Sequence, residues 1–401
     1  MEKRWVIAGG GIHGLAACVH LVRSGTARVE EIMVIDPEED YLMSWERKAQ
    51  RTGMTHLRSP SVHHLDQDPF SLQKYAHEQE MNRHLKGRYK RPSLALFGQH
   101  AEWLITSLGL RRAYRQDDVR GLLRKKGGGY TVRTAKGAVI RCGHVIVATG
   151  MLHRASWPEW AKKINRVSPG KVQHLLSSHD YDPAQVKPPV LVVGGGISAS
   201  QTALLWSTVY PGEVTLLRRS SPDLSDFDSD PGWLGPKYMN RFVQEADPVK
   251  RHLMIQEARR TGSLPGFLHR ELMRSQAEGR LTIRQGEVSS VCMKGGEMAY
   301  QCDVEDAGSC GSVILATGYE PGVPVPDWLE SYSLRHGLPL SPNNTPLPDT
   351  NLMWDESLFL TGPLAELILG PTSRNIAGAR KAASLIVAAT KAEDPEEAVS
   401  V

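Results

Sequence analysis

Two segments of this chain repeat one pattern, in which a short apolar run meets a group of glycines and continues as a helix-forming stretch. They are VIAGGGIHGLA at residues 6–16 and VLVVGGGISASQ at residues 190–201. The defining positions of the pattern GxGxxG are Gly9, Gly11 and Gly14 in the first segment, and Gly194, Gly196 and Ala199 in the second. Such glycines permit a tight strand-to-helix turn and bring backbone N–H groups close to a phosphate at the helix N-terminus. Two such turns favour an α/β fold.

A second repeated feature follows each glycine segment. VRGLLRKKGGGYTVRTAKGAVIRCGHVIVATG, at residues 119–150, predicts a small antiparallel meander that leads into a buried strand. A similar stretch ends in ILATGY at residue 319. The residues at these two strand ends are Thr149 and Gly150, and Thr317, Gly318 and Tyr319. The repetition predicts two Rossmann-like dinucleotide-binding domains, each a three-layer α/β unit with a small antiparallel meander.

The composition is that of a globular protein and excludes several classes of function. Of 401 residues, 40% are hydrophobic and 23% are charged, and the net charge is +4. No run of Lys and Arg indicates a nucleic-acid partner, and no apolar stretch of about 18 residues indicates a membrane partner. The five cysteines form no CxxC pair, which favours reduced thiols. Since no signal-peptide pattern is found, we expect a cytoplasmic protein, and we leave a homo-oligomer open.

The two loops differ in the charge at the end of the strand that follows. Asp36 ends the strand after the first loop, about 20 residues from Gly14, where an acid accepts hydrogen bonds from a ribose diol. Arg218 and Arg219 occupy the corresponding place after the second loop, where a guanidinium pairs with a 2′-phosphate. The first loop is therefore predicted to bind FAD and the second NADPH. The alternatives are a plain strand–helix turn and a solvated pair of arginines.

FAD is assigned to the first loop because the last segment of the chain supports a flavin. LFLTGPLAELILGPTSRNIAGARKAA predicts a final helix from about Ile376 to Thr390, whose positive end stabilises charge on a reduced flavin. We predict an FAD domain in residues 1–186 and 319–401, with the NADPH domain of residues 187–318 inserted in it. Residues 223–280 form a helical insertion. Further candidate cofactor contacts are Trp45, Ser198, Gly362, Pro371, Thr372 and Asn375.

With these motifs the chain resembles the class B flavin monooxygenases and is most similar to the lysine and ornithine N-hydroxylases. The resemblance rests on both loops, both ATG segments, ILATGY, the final helix and the insertion DSDPGWLGPKYMNRFVQEADPVKRHLMIQEARRTGS. It implies that NADPH reduces FAD, that oxygen forms a C4a-hydroperoxyflavin, and that a small nucleophilic substrate, an amine, takes one oxygen atom. NADP⁺ is implied to stay bound and to protect the hydroperoxide.

The chain departs from that family at the residues implied to hold the substrate. Family members carry a Met-Gln pair followed by a lysine, whereas RTGMTHLRSPSVHHLDQDPF has Met54, Thr55 and then Pro60 and Ser61 in the lysine region. Gly262 stands where they carry asparagine. The amino-acid substrate is therefore left open. The FxGxxxH signature of relatives that oxidise soft nucleophiles is matched only in part, by Gly170 and His174.

Four side chains in the segment between the first helix and the meander are candidates for the reactive face of the flavin: His56, Arg58, His63 and His64. The adjacent His63 and His64 could also indicate a metal site. No carboxylate or cysteine at a suitable spacing completes such a site, so we predict none. Arg58 either holds an anionic group of a ligand or pairs with a neighbouring carboxylate.

Three functions fit the sequence. The first is an FAD-containing, NADPH-dependent monooxygenase. The second is a flavin oxidoreductase that passes electrons to a quinone, a protein or oxygen without inserting oxygen. The third is a regulator that senses NADP(H) without catalysis, which would not need the final helix.

Overall fold

Two parallel sheets, each flanked by helices, form the framework of the protein, as the two glycine loops predict. The computed structural model describes residues 1–152, 154–177, 181–304 and 307–393. Among these residues no helix has the length and apolar character needed to cross a membrane.

The strands and α-helices follow one another in two long series. The strands are β1 (Glu2–Ala8), β2 (Ile32–Asp36), β3 (Leu85–Lys86), β4 (Arg91–Pro92), β5 (Tyr114–Gln116), β6 (Val119–Arg124), β7 (Tyr130–Thr134), β8 (Val139–Val147), β9 (Val172–His174), β10 (Val190–Val193), β11 (Val214–Arg218), β12 (Thr282–Gln285), β13 (Val288–Lys294), β14 (Glu297–Cys302), β15 (Ala307–Cys310), β16 (Ser312–Leu315), β17 (Met353–Asp355) and β18 (Leu358–Leu360). The helices are α1 (Ile12–Arg23), α2 (Met43–Arg51), α3 (Ser71–Glu78), α4 (Leu94–Ser107), α5 (Glu159–Val167), α6 (Ile197–Val209), α7 (Pro236–Gln244), α8 (Pro248–Ala258), α9 (Gly266–Ala277), α10 (Asp327–His336), α11 (Glu366–Leu369) and α12 (Ile376–Glu393).

The first sheet has the order β17-β18-β8-β1-β2-β5, with β6 and β7 joined to it through β8. Strand β1 lies at its centre and pairs in parallel with β2 and β8, so that Trp5 is opposite both Ile32 and His144. Buried on both faces, these strands read as continuous apolar runs. Strand β8 is long enough to belong to both the antiparallel meander and the parallel sheet.

The second sheet has the order β12-β11-β10-β16-β9, all parallel, and β13 to β15 form the second meander. Strand β9 precedes residue 187, so the predicted boundary at that residue is too late. Helix α5 also contributes Ala161 and Ile164 to the core of this domain. The two chain segments that connect the domains lie side by side near residue 156, where Ser156 N–H donates to the carbonyl of Gly318.

The predicted helical insertion of residues 223–280 divides between the two domains. Helix α9 packs on α6 in the core of the second domain, which includes Leu268 and Leu272. Helices α7 and α8 pack instead on the last part of the first domain, where Phe242 and Ile255 contact Leu367 of α11. The insertion therefore connects the NADPH-type unit to the FAD-type unit.

A buried carboxylate strengthens this connection. Glu366, with 0% of its side chain exposed, accepts hydrogen bonds at Oε2 from Arg259 Nη2 at 2.8 Å and from Arg374 Nε at 2.9 Å. Arg259 follows helix α8 of the insertion, whereas Arg374 precedes α12 of the first domain. One acid thus compensates two guanidinium groups that come from different parts of the chain.

Replacement of this acid is expected to destabilise the protein strongly. Glu366→Gln keeps the volume but removes the counter-charge of two guanidinium groups whose side chains are only 23% and 27% exposed, which costs about 3 kcal/mol. Urea unfolding followed by circular dichroism measures the change. The control is Glu159→Gln, which removes a fully exposed ion pair with Lys162 and is expected to leave the urea midpoint unchanged. Equal midpoints for Glu366→Gln and the wild type would contradict the expectation.

Candidate functional site

A cavity of about 1060 Å³ lies where the first glycine loop, the loop after α2, the start of α6 and the insertion meet. The lining residues from the first domain include Gly9, Gly10, Gly11, His13, Asp36, Trp45, Lys48, Met54, His56, Arg58, His63, Thr149, Gly150, Thr372, Asn375 and Ile376. Those from the second domain and its linker include Ile197, Ser198, Gln201, Asp228, Ser229, Asp230 and Tyr319. Both domains therefore build its wall.

The first glycine loop is a turn that admits no side chain at its first and last glycines. A Cβ on Gly14 would lie 1.8 Å from the carbonyl oxygen of Gly9, and a Cβ on Gly9 would lie 2.5 Å from that of Ala148. Gly11 caps α1, whose first turn carries no acidic residue. Free backbone N–H groups at the positive end of α1 consequently face the cavity and suit a pyrophosphate.

Asp36 is positioned by the loop beside it. Its Oδ2 accepts a hydrogen bond from Gly10 N–H at 2.6 Å and its Oδ1 accepts one from Glu38 N–H at 2.9 Å. Burial raises the pKa of this carboxyl group, and the two backbone bonds oppose that change. Each oxygen keeps a further lone pair, so Asp36 fits the predicted contact with a ribose diol.

The second glycine loop repeats the same close approach. A Cβ on Gly194 would lie 2.6 Å from the carbonyl oxygen of Ala316, which corresponds to Ala148 in the first domain. Arg218 lies beside this loop, 3.9 Å from the Cβ position of Gly195. Its Nη1 is buried without a hydrogen-bond partner among the described residues, and burial lowers its pKa. An anionic phosphate would supply that partner. The next residue, Arg219, is exposed.

The predicted cofactor residues that do not line the cavity have identifiable positions. Gly14 is enclosed by the turn, and Gly362 lies behind His13, whose Nε2 is 3.5 Å from the glycine's Cβ position. Thr317 is held at the linker, where its hydroxyl donates to the Ser156 carbonyl and accepts from His174 Nε2 at 3.0 Å. The other residues outside the lining are Gly194, Gly196, Ala199, Arg218, Arg219, Gly318 and Pro371.

Three of the four predicted reactive-face residues line the cavity: His56, Arg58 and His63. Burial lowers the pKa of His63 to about 4, so its imidazole is neutral at pH 7. Arg58 donates to the carbonyls of Ser225 and Asp226, and to Ser263 Oγ at 2.9 Å. These contacts join the loop to the insertion.

His64 differs from the prediction, because its ring points away from the cavity. Its Nδ1 accepts from Asp66 N–H and its Nε2 donates to the carbonyl of Pro69 at 3.2 Å. The ring lies edge-on to His100, which hydrogen-bonds Ser71 at 2.9 Å. With 0% exposure, His64 is a structural residue of this histidine cluster. Elsewhere in the described ranges, no group of three or more His, Cys, Asp or Glu is arranged to hold a metal ion.

Sequence reasoning missed three polar residues of the cavity. Asp228 belongs to the acidic run DFDSD, which was noted only as part of the insertion. Lys48 lies one turn after Trp45 on α2, with its Nζ 5.9 Å from the ring of Tyr319, and burial lowers its pKa. His13 occupies a variable position within the first glycine loop. Lys48 could have been found from the sequence, because its helical spacing from Trp45 places both residues on the same face of α2.

The comparison with known families and structures agrees with this geometry. A family described as FAD-NAD(P)-binding matches residues 6–152, which include the first glycine loop and the first ATG segment. No curated protein is significantly similar to the chain in sequence.

Among solved structures, the chain is similar to the ornithine N-hydroxylase of Kutzneria sp. 744, solved with reduced FAD, NADP⁺ and L-ornithine. The TM-score is 0.79 at 16% identity, over 98% of this chain and 100% of that one. The cadaverine monooxygenase of Erwinia amylovora gives 0.71 at 13% identity, over 98% and 95%. The bacillithiol disulfide reductase of Bacillus cereus gives 0.61 at 16% identity, over 98% and 100%. These likenesses confirm the predicted α/β fold with two Rossmann-like domains.

The histidine cluster beside the cavity is expected to make the protein sensitive to acid. Burial lowers the pKa of His64 to about 4 and that of His100 to about 3, from about 6.5 in an unfolded chain. The stability from these neutral rings is fully present above pH 6.5, and it is lost as the pH falls towards 4 because the unfolded chain takes up the protons first. Urea midpoints between pH 7.5 and 4.5 measure this loss.

A matched pair of variants separates the cluster from other acid effects. His100→Gln can keep the hydrogen bond to Ser71 without a titrating ring, so its urea midpoint is expected to fall less steeply below pH 6.5. His77→Gln, at an exposed position of α3, is the control and should follow the wild type. Parallel pH profiles for all three proteins would show that the cluster does not carry the effect.

Proposed function

We propose that the protein is an FAD-containing, NADPH-dependent monooxygenase that oxygenates a small nucleophilic substrate, with an amine as the substrate class. The balanced reaction is R–NH₂ + O₂ + NADPH + H⁺ → R–NHOH + H₂O + NADP⁺. Bound FAD supplies the redox chemistry, since it accepts hydride and activates oxygen. The protein's own residues bind both dinucleotides, exclude water and hold the amine.

One observation carries the proposal: two glycine turns with strand-end residues of opposite charge approach a single shared cavity. Asp36 suits a dinucleotide with a free ribose diol, and Arg218, whose Nη1 has no partner among the residues that the structure describes, suits a 2′-phosphate. The first turn and Ser198 of the second domain line the same cavity. This arrangement supports hydride transfer from a nicotinamide to a flavin between the two domains.

Asp228 supports an amine as the substrate. Its side chain is half-buried at the cavity, and within the described ranges it has no ion-pair partner within 4.0 Å, while Asn375 Nδ2 lies at 3.4 Å. Arg58 is close enough to attract Asp228 electrostatically, but it donates a hydrogen bond to the carbonyl of Ser225 rather than to this carboxylate. A cationic ammonium group of an arriving substrate would compensate this carboxylate. Members of the resembled family are implied to hold the carboxylate of the substrate with a lysine in the loop after α2. This chain has no lysine there, which disfavours lysine and ornithine as substrates.

A reductase or oxidase without oxygen insertion is the second candidate, since the fold is also that of the bacillithiol disulfide reductase. A disulfide formed by the cysteines of this chain is a poor candidate for the electron acceptor in such a reaction. Burial raises the pKa values of Cys18, Cys142 and Cys310 to about 12, and none of these residues lines the cavity. Electrons would then have to leave to an external quinone, protein or oxygen.

Coenzyme choice tests the assignment of the second loop. Arg218→Ala is expected to raise the KM for NADPH about 10- to 100-fold, which corresponds to the loss of a charge-assisted contact, with little change for NADH. Arg219→Ala is the matched control, because its exposed side chain is expected to contribute less. Steady-state NADPH and NADH oxidation measures both. An equal loss with the two coenzymes would contradict 2′-phosphate recognition.

The fate of oxygen separates the two candidate functions. Mixing NADPH-reduced enzyme with oxygen in a stopped-flow instrument is expected to show a transient absorbing species before oxidised flavin returns, because a monooxygenase must keep water away from its oxygenated flavin. Reduction with NADH should shorten its lifetime. Direct return to oxidised flavin in both cases, together with faster reaction with a quinone, would favour the oxidoreductase.

Asp228 provides the test of the substrate class. Asp228→Asn keeps the shape and the contact with Asn375 but removes the charge, so the KM for an amine substrate should rise about tenfold or more while flavin reduction by NADPH stays normal. Candidate diamines and monoamines are incubated with NADPH and oxygen, and hydroxylamines are measured by mass spectrometry. Lysine and ornithine are expected to yield mainly hydrogen peroxide. Stoichiometric hydroxylation of either amino acid would overturn this substrate assignment.

A further inference from the structure

We propose that Lys48, on helix α2 of the first domain, binds the diphosphate group of the nicotinamide coenzyme from across the domain boundary. This assignment rests on the proposed coenzyme site, and it adds a residue that neither glycine pattern specifies. The diphosphate is common to NADPH and NADH, so Lys48 would contribute to the binding of both coenzymes. Arg218, by contrast, would distinguish them through the 2′-phosphate.

The C-terminal half of α2 faces the second domain and its linker. Lys48 Nζ lies 5.9 Å from the ring centroid of Tyr319, and both residues line the cavity. Just after α2 ends, a Cβ on Gly53 would lie 2.9 Å from the Leu205 side chain and 3.4 Å from the carbonyl oxygen of Gln201. Leu205 and Gln201 belong to α6. Lys48 is therefore held beside the helix that follows the second glycine loop.

Tyr319 marks the edge of the second sheet at which a dinucleotide is expected to bind. It follows β16, which pairs in parallel with β10, and β10 leads directly into the second glycine loop. In sheets of this kind, ligands bind outside the carboxyl ends of the strands. Ser198 and Gln201, in the first turns of α6, line the same cavity as Lys48. A diphosphate bound at this edge would thus share the cavity with the ammonium group.

The ammonium group of Lys48 has no protein partner, although two other cations of the same helix do. Arg47 donates to both carboxylate oxygens of Glu38, at 3.1 and 2.5 Å, and Arg51 donates to the carbonyl of Ser177. Glu38 is also the carboxylate that attracts Lys48, so that acid is already engaged. Across the described ranges, Lys48 Nζ forms no hydrogen bond, and no carboxylate oxygen lies within 4.0 Å of it.

The same ammonium group is open to a ligand. Lys48 is partly buried, and desolvation lowers its pKa, so its charge is costly without a counter-charge. Its Nζ is nevertheless not enclosed by protein atoms. Phosphate oxygens form strong charge-assisted hydrogen bonds with ammonium groups. An anionic coenzyme in the cavity would therefore find an accessible donor and stabilise its charged form.

Substitution of Lys48 tests this assignment in the intact, FAD-loaded protein. Lys48→Met removes the charge but keeps a long, helix-favouring side chain, and Lys48→Arg keeps the charge. The matched control is Lys74→Met on α3, since Lys74 is 64% exposed and lies outside the cavity. Calorimetry measures the Kd of NADP⁺, and anaerobic flavin reduction measures the apparent Kd of NADPH and of NADH. The FAD content and melting temperature of each protein are also recorded.

We expect Lys48→Met to raise the Kd of NADP⁺ about tenfold or more, because a charge-assisted contact is lost. The apparent Kd values of NADPH and NADH should rise by similar factors, so that their ratio stays that of the wild type. Lys48→Arg should keep most of the affinity, and Lys74→Met should bind as the wild type does. FAD content and melting temperature should be unchanged in all three variants.

Four results would overturn the inference. An unchanged Kd of NADP⁺ in Lys48→Met would do so, even if the KM for an anionic substrate rose. A larger loss for NADPH than for NADH would assign Lys48 to the 2′-phosphate, and loss of FAD would assign it to the flavin. Weaker binding together with a lower melting temperature would identify a packing residue. A wild-type protein that binds no FAD, or whose flavin NADPH does not reduce, would instead refute the proposed function itself.

Discussion

The structure depends on the close contact between two backbone segments at each glycine turn. In the first domain, the turn between β1 and α1 leaves no room for a Cβ on Gly14 or on Gly9. A Cβ on Gly14 would overlap the carbonyl oxygen of Gly9, and a Cβ on Gly9 would overlap that of Ala148. This contact fixes the direction of α1 relative to the sheet and places the end of β8 beside the turn. The lining residues Thr149 and Gly150 reach the cavity for that reason. A larger residue in the turn would separate the helix, the strand and the cavity wall together.

The second domain repeats the same contact but follows it with a side chain of opposite charge. Gly194 meets the carbonyl of Ala316 as Gly9 meets that of Ala148, so the two backbones are nearly interchangeable at this point. The difference lies in the side chain at the end of the following strand. Asp36 accepts from backbone N–H groups and still offers lone pairs, whereas Arg218 has a buried guanidinium nitrogen that finds no partner in the described part of the chain. A duplicated framework can therefore acquire two ligand preferences through one position in each copy.

The sequence predicted those parts of the structure that are encoded locally. The glycine turns, the strand ends at Asp36 and Arg218, both meanders and helix α12 follow from apolar periodicity and turn residues, and the structure has all of them. Strand β9 was missed because a strand of three residues has no periodic signal, and the domain boundary was misplaced with it. The orientation of His64, a loop residue, was also beyond prediction, since it depends on His100, which lies in helix α4. The buried pairing of Glu366 with Arg259 joins residues more than a hundred positions apart, and neither residue is marked locally.

These long-range contacts are also what completes the cavity. Arg58 and Arg91 of the first domain hold the segment around Asp226, and Arg91 Nη2 forms an ion pair with the Asp226 carboxylate at 2.9 Å. Glu366 holds the insertion at its other end through Arg259. Between these two attachments the chain passes through Asp228, Ser229 and Asp230, which form one wall of the cavity. Because that wall belongs to the insertion of the second domain, neither domain alone contains the complete site. Under the proposed function, catalysis would therefore be coupled to the docking of the insertion, and the charged contacts that secure it would act on turnover through the position of Asp228.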